Sequence, residues 1–150
     1  NKGVVILVNK WDLVDKNNLS AKDVEKKIKE EIEPFVNVPI IFISTLKKQR
    51  IFKALELAIK VYENRRRKIK TSKLNDDLLD IISKNPPPSI KGKYVKIKFC
   101  NQLPGHYPQF VFYCNLPKYV KEPYTRFVEN KIRSIYDFEG VPITIYFRKK

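Results

Sequence analysis

The sequence predicts two mixed folds in series: part of a parallel α/β unit over residues 1–66, then a small α+β domain over residues 67–150. Three observations lead there. Two short apolar, β-branched runs, Val4–Val8 and Val38–Ser44, are each followed by a stretch of helical periodicity. A basic run, Glu63-Asn64-Arg65-Arg66-Arg67-Lys68-Ile69-Lys70, then interrupts the pattern. Beyond it the periodicities read helix, strand, strand, helix, strand, an order in which two helices cover one face of a three-stranded sheet.

The first run, Val4-Val5-Ile6-Leu7-Val8, reads as a strand buried on both faces of a parallel sheet. A polar loop follows, and Ser20 with Asp23 three residues on forms a capping box. Val24, Ile28, Ile32 and Phe35 then recur at helical spacing, and Pro34 ends that helix. Val-Pro-Ile-Ile-Phe-Ile-Ser (38–44) is the second strand, its proline tolerable only at the start. A helix over 49–66 presents Ile51, Phe52, Leu55, Ala58, Ile59 and Tyr62 as its apolar stripe. Strand, helix, strand, helix is a right-handed parallel unit.

In the second half, Thr71-Ser72 reads as the cap of a helix over 73–84 that buries Leu74, Leu78, Ile81 and Ile82. Asn85-Pro86-Pro87-Pro88 stops it. Residues 94–101 alternate, with Val95, Ile97 and Phe99 on one side and Lys96, Lys98 and Cys100 on the other. A Pro-Gly loop joins them to a return strand over 109–115. Pro123 opens a last helix with the stripe Tyr124, Phe127, Val128, Ile132 and Ile135. Phe138-Glu139-Gly140 ends it, and a final strand over 142–148 sets Ile143, Ile145 and Phe147 against Thr144, Tyr146 and Arg148.

Composition narrows the functional classes. The 150 residues carry a net charge of +15, and it is lopsided: residues 1–64 hold 12 Lys/Arg against 9 Asp/Glu, residues 65–150 hold 19 against 7. A second half at +12 points to polyanionic partners, nucleic acid before membrane. No apolar stretch approaches the roughly 18 residues of a membrane span, and the first residues do not read as a signal peptide. Two cysteines supply neither a disulfide framework nor metal spacing, which fits a reducing cytoplasm. The sequence has no methionine and opens within three residues of a strand, so we expect an excised piece whose sheet neighbours lie outside it. His106 stands alone in its loop, and no catalytic or metal constellation is expected.

The chemistry-bearing motif is Asn9-Lys10-Trp11-Asp12, at the carboxyl end of the first strand, where ligands of parallel sheets sit. Asp12 can accept two hydrogen bonds at once, matching the paired N1–H and N2 donors of guanine. The Asn9 amide and nearby main-chain N–H groups suit the guanine N7 and O6 acceptors, and the Lys10 stem can cover the base face. Adenine carries an acceptor where guanine carries a donor, so Asp12 would reject it. The second strand delivers Ser44 and Thr45 to the same rim.

With the linker, Thr71-Ser72-Lys73-Leu74-Asn75, Pro86-Pro87-Pro88, Phe138-Glu139-Gly140-Val141-Pro142-Ile143 and the terminal Phe147-Arg148-Lys149-Lys150, these motifs run in order along the whole chain. Together they resemble the Der (EngA) family of bacterial GTPases, in which two consecutive G domains precede a KH-like domain. The resemblance implies that residues 1–66 are the end of the second G domain, a partial P-loop GTPase-type unit, and that residues 67–150 are the KH-like domain. It further implies GTP hydrolysis with Mg²⁺ by the full-length protein, a role in large ribosomal subunit assembly, and partners among ribosomal RNA, ribosomal proteins and the preceding G domains. Asn9, Lys10, Asp12, Ser44 and Thr45 would hold the nucleotide. Relatives carry Ser-Ala, often followed by Gly, where this chain has Ser44-Thr45 and then Lys47-Lys48-Gln49-Arg50.

The same comparison sets limits. No Gly-x-x-x-x-Gly-Lys-Ser/Thr loop and no Asp-x-x-Gly occurs in the 150 residues, so this piece alone is expected to be inactive and to bind GTP or GDP poorly. The Gly-x-x-Gly clamp of RNA-binding KH domains is also missing. RNA or partner contacts would then fall to Lys91, Lys93, Lys96, Lys98, Arg126, Lys131, Arg133, Arg148, Lys149 and Lys150. The alternative is a stand-alone RNA-binding module without nucleotide-dependent activity.

Overall fold

The computed structural model of the chain describes residues 1–15, 20–35, 37–90 and 92–149. The polypeptide divides into two compact units, Asn1–Arg65 with Glu139–Pro142, and Arg66–Phe138 with Ile143–Lys150.

In the first unit, β1 (Ile6–Val8) and β2 (Ile40–Phe42) pair in parallel, Ile6 opposite Ile40 and Val8 opposite Phe42. Main-chain bonds carry the pairing beyond both strands: Ile43 N–H donates to the Val8 carbonyl at 2.8 Å and Trp11 N–H to the Ile43 carbonyl at 3.0 Å. The two segments therefore leave the sheet side by side. Between the strands, α1 (Ala21–Glu31) is capped by Ser20, whose Oγ accepts the Asp23 N–H. Its stripe residues Val24, Ile28 and Ile32 are half-buried. α2 (Ile51–Arg66) follows β2 and packs Ala54 and Leu57 against Ile41, Ile43 and Val5.

Two expectations are corrected here. The first strand is shorter than predicted and not buried on both faces, since Leu7 is 50% exposed. Among the described residues β1 pairs only with β2, so one edge stays open. The apolar stripe expected to seat α2 is the wrong one. Phe52, Leu55, Ile59 and Tyr62 are exposed, while Ala54, Val61 and Asn64 are buried. Each set has helical spacing, and they are offset by two residues, about 200° around the axis. The helix is apolar on opposite sides: the side carrying Ala54 packs on Ile41 and Ile43, while Phe52, Leu55 and Ile59 on the other stay exposed. Buried Asn64 is satisfied through the Glu139 carbonyl, which accepts from its Nδ2 at 3.2 Å. Gly140 sits close by at φ 75, where a Cβ would come within 2.5 Å of Val61 and 2.8 Å of the Val4 carbonyl. Only glycine meets both demands.

The second unit runs α3 (Thr71–Lys84), β3 (Ile97–Gln102), β4 (Gln109–Cys114), α4 (Glu122–Ile135) and β5 (Thr144–Arg148). The sheet order is β3-β4-β5, antiparallel then parallel. Leu74, Leu78 and Ile82 of α3 and Val128 and Ile132 of α4 bury themselves on Cys100, Phe110 and Phe112, with Ile145 and Phe147 packed alongside. The fold is thus mixed α/β, with the α-β-β-α-β order and helices on one sheet face. Tyr136 ties the helices together, its hydroxyl donating to the Asp77 carboxylate at 2.5 Å. Asn75 substitutes for a neighbouring strand at the β3 edge: its Nδ2 donates to the Cys100 carbonyl at 2.7 Å and its Oδ1 accepts the Cys100 N–H at 2.9 Å.

Sequence and structure differ in this unit at Ile135, expected in the α4 stripe but 39% exposed, and at two further points. α3 starts two residues early, with extended Lys70 at its N-cap, so Thr71 is inside the helix. More consequentially, a bulge between Ile97 and Phe99 shifts the register, and the predicted alternation inverts beyond it. Cys100 turns into the core at 0% exposure and Phe99 turns out at 38%. Cys100 and Cys114 are both free and buried, opposite Phe112 and Ile97 respectively.

Candidate functional site

The parallel pairing of β1 and β2 brings two turns together: Asn9–Leu13 after β1, and Ser44–Arg50 after β2. Trp11 anchors the first, its ring 4.3 Å from that of Phe42 between centroids. Lys10 adopts φ 58, and its N–H donates to the Asn9 Oδ1 at 2.8 Å. Asn9 then reaches across. Its Oδ1 also accepts the Thr45 N–H at 3.2 Å, and its Nδ2 lies 3.3 Å from the Thr45 hydroxyl. The Asn9 amide thus locks the two turns to each other and is occupied in doing so.

Ser44, wholly buried, links the turns a second time. Its Oγ accepts the Lys47 N–H at 3.1 Å, and its hydroxyl is the neighbour that most lowers the Asp12 carboxyl. That hydroxyl, seconded by the Asp12 N–H and the Lys47 charge, holds the Asp12 carboxyl below the usual carboxylate range against the opposing effect of desolvation. The structure thereby gathers Asn9, Lys10, Asp12, Ser44 and Thr45 at one sheet rim, with an ionised carboxylate among them.

The turn after Ser44 closes without glycine. Gln49 N–H donates to the Ser44 carbonyl at 2.8 Å, and Lys48 and Arg50 take φ 53 and 57. Left-handed backbone costs such residues about 1–2 kcal/mol each. Arg50 offsets part of this with a bond from its guanidinium to the Phe42 carbonyl at 3.2 Å. Among the described residues the N–H groups of Ser44, Thr45, Lys47 and Lys48 all donate to protein oxygens, whereas that of Leu46 does not. Leu46 is a contributor that the sequence reading does not name, and Lys47 enters it only as part of the run that replaces the Gly-bearing turn. No residue-type pattern marks them, because a main-chain donor carries no signature.

The basic candidates of the second unit are scattered. Lys93 Nζ lies 2.9 Å from the Tyr119 hydroxyl, Arg126 pairs with Glu122 at 2.6 Å, and Lys131 lies over the Phe127 ring. Lys96, Lys98, Arg148 and Lys149 are exposed. Arg133 is largely withdrawn from the surface: its side chain is 12% exposed, and its guanidinium binds Glu129 at 2.9 Å and the Phe138 carbonyl at 3.0 Å. Lys91 and Lys150 lie outside the described residues. No group of three metal-ligating side chains occurs among the described residues, and none of their helices is long and apolar enough to cross a membrane.

A sequence profile described as "KH-domain-like of EngA bacterial GTPase enzymes, C-terminal" matches residues 68–148. The chain belongs to this family. Curated proteins named GTPase Der align with its full length: that of Christiangramia forsetii is 64% identical over 150 residues, that of Flavobacterium psychrophilum 63% over 149, and that of Bacteroides fragilis 55% over 152. The EngA-type chain spans about a third of the length of these relatives, 34–35% in each case. The profile falls on the second unit, so the Asn9–Asp12 rim lies in the part that aligns with the GTPase Der sequences N-terminal to it.

Proposed function

We propose that the first unit is the guanine-reading end of a GTPase acting in large ribosomal subunit assembly in the cytoplasm, and that the basic second unit is its RNA- or ribosome-contacting module. The observation that carries this is the rim itself: parallel strands bring Asp12, held below the usual carboxylate range, to the same rim as a turn whose Leu46 N–H is unpaired. The donor set fits guanine. Asp12 takes N1–H and the N2 amino group, the Leu46 N–H faces O6, and the Lys10 stem covers the ring. Adenine would bring an acceptor against Asp12 and no acceptor at O6.

GTP supplies a phosphoanhydride for hydrolysis, and Mg²⁺ neutralises its charge. The loops that hold them are absent from these 150 residues. They belong to the preceding part of the G domain, and this chain alone binds nucleotide weakly and does not hydrolyse it. The edge of β1 left open among the described residues and the outward stripe of Phe52, Leu55 and Ile59 support that reading. A contiguous apolar surface of this kind is normally covered.

Asp12→Asn, made in a polypeptide holding the complete G domain, tests the proposal. Each hydrogen bond to a charged group is worth about 1.5–3 kcal/mol, so GDP affinity should fall at least about tenfold. Xanthosine diphosphate, with a carbonyl where guanine has its amino group, should gain. Unaltered preference for GDP over xanthosine diphosphate would remove Asp12 from base recognition. The alternative of a stand-alone RNA-binding module is favoured only by the uneven charge.

A further inference from the structure

The sheet of the second unit turns one face toward α3 and α4, and the residues of its other face are not those of an ordinary solvated surface. Register places them in rows. Phe99 stands opposite Tyr113, which stands opposite Arg148, and Asn101 opposite Val111, which stands opposite Tyr146. The Phe99 and Tyr113 rings are stacked, 5.9 Å apart at 29°. The Arg148 guanidinium lies 5.6 Å from the Tyr146 ring centroid. Phe99, Lys98, Arg148 and Lys149 are exposed, and Tyr113 and Tyr146 partly so. The Asn101 carboxamide oxygen is buried without a donor. None of β3, β4 and β5 contains an acidic residue.

Val111, between these rows, is fully buried, so the accessible part is the outer row. We propose that this row, Phe99 and Tyr113 beside Arg148 with Tyr146 at its margin, is a stacking platform for single-stranded RNA. Flat rings on adjacent strands present π surfaces that any base can cover, and Arg148 with Lys98 supplies cations at the platform's margin for the phosphates. Strand aromatics on other RNA-binding sheets stack two or three bases in the same manner. An acid-free face suits a polyanion and opposes an acidic protein surface only weakly, but rings in adjacent rows are better matched to bases than to side chains. The inference rests on the RNA-contacting reading of the second unit and gives it a surface separate from the helices. It needs no Gly-x-x-Gly loop.

Fluorescence anisotropy of the 150-residue chain with labelled single-stranded RNA of about 12 nucleotides, and with a duplex of the same length, tests it. Binding should favour the single strand, because duplex bases are already stacked. Phe99→Leu and Tyr146→Leu should each weaken it about 5- to 150-fold with the salt dependence unchanged. Tyr146→Phe, which keeps the ring and the fold, should restore affinity. Arg148→Gln should instead lower the slope of log affinity against log salt by about 0.7. If the chain binds RNA but both leucine variants match it, the platform is refuted and the RNA reading survives. If the chain binds no RNA at low salt, both fall. Leucine variants with normal RNA affinity but weakened binding to purified large-subunit proteins would assign the face to protein and overturn the platform.

Discussion

Replacing Asn75 with alanine should unfold the second unit disproportionately for an α3 residue with no place in the hydrophobic core. Among the described residues its carboxamide is the one partner of two main-chain groups of Cys100 at the β3 edge, through bonds of 2.7 and 2.9 Å. Alanine removes both at once. An unpaired buried donor or acceptor costs about 1–3 kcal/mol. Cys100 itself is fully buried, but an edge strand admits water more readily than a central one, so the lower half of the range applies and the two groups together cost about 2–4 kcal/mol. For a unit of this size each kcal/mol moves the midpoint by about 4–8 °C, giving a drop of roughly 8–32 °C. The probe has to report the right unit. Trp11, the only tryptophan, lies in the first, so its fluorescence should barely respond. Amide hydrogen exchange at Cys100 reads the bond directly, and its protection should collapse in the variant. If the Cys100 amide stays protected and the midpoint moves by less than about 0.5 kcal/mol, the side chain is not acting as a surrogate strand.

The other expectations follow from burial and charge. The Asp77 carboxyl is held below its ordinary range, first by the Tyr136 hydroxyl and then by Lys73. A depressed acid stabilises the fold above its unfolded value, about 3.9, and that stability is lost as pH falls through the folded value; Tyr136→Phe should flatten this acid limb in urea titrations. Burial pushes the Tyr124 phenol up to about 12, so its contribution, full below about pH 10, should be lost as pH climbs through 12. Burial also drives the Cys100 thiol up to about 12 and raises that of Cys114, so a thiol reagent should find neither in the native chain and both after urea. Finally, Leu55→Ser with Ile59→Ser should leave the Trp11 unfolding midpoint of this chain within about 0.5 kcal/mol. Ile41→Ala, at 6% exposure, should cost about 2–5 kcal/mol; equal effects would mean the outward stripe of α2 is packed after all.

Much of this architecture is legible in the sequence because it is local. Helices α1, α3 and α4 announce themselves by spacing, Ser20 by its capping partner, and β5 by strict alternation. What escapes the sequence is set by partners distant along the chain. In α2 two stripes share one period, and choosing between Leu55 and Val61 requires knowing which side meets β1 and β2. At the candidate site the residue types of the Asn9–Asp12 turn are visible, whereas the Ser44 hydroxyl on Asp12 and the free N–H of Leu46 arise only when two turns close on each other. Arg133 looks like any helical surface cation until the Phe138 carbonyl folds back to meet it.

The bulge at Ile97–Phe99 joins these two lessons. A period-two reading assigns Phe99 to the core and Cys100 to solvent, which satisfies every apolar residue of the strand locally. β4 decides otherwise: Phe112 opposite Cys100 is buried under the helices, so the extra residue has to be absorbed ahead of Phe99. A one-residue slip carries each later side chain to the other face. At 38% exposure Phe99 forfeits about a third of a burial worth about 1.5–3 kcal/mol in full, and the stack on Tyr113 returns about 0.5–1.5 kcal/mol. The two nearly cancel, so the pair of rings keeps an aromatic side chain at an outward position at little cost to the fold. The position where local patterning fails is therefore the one where the proposed RNA platform begins.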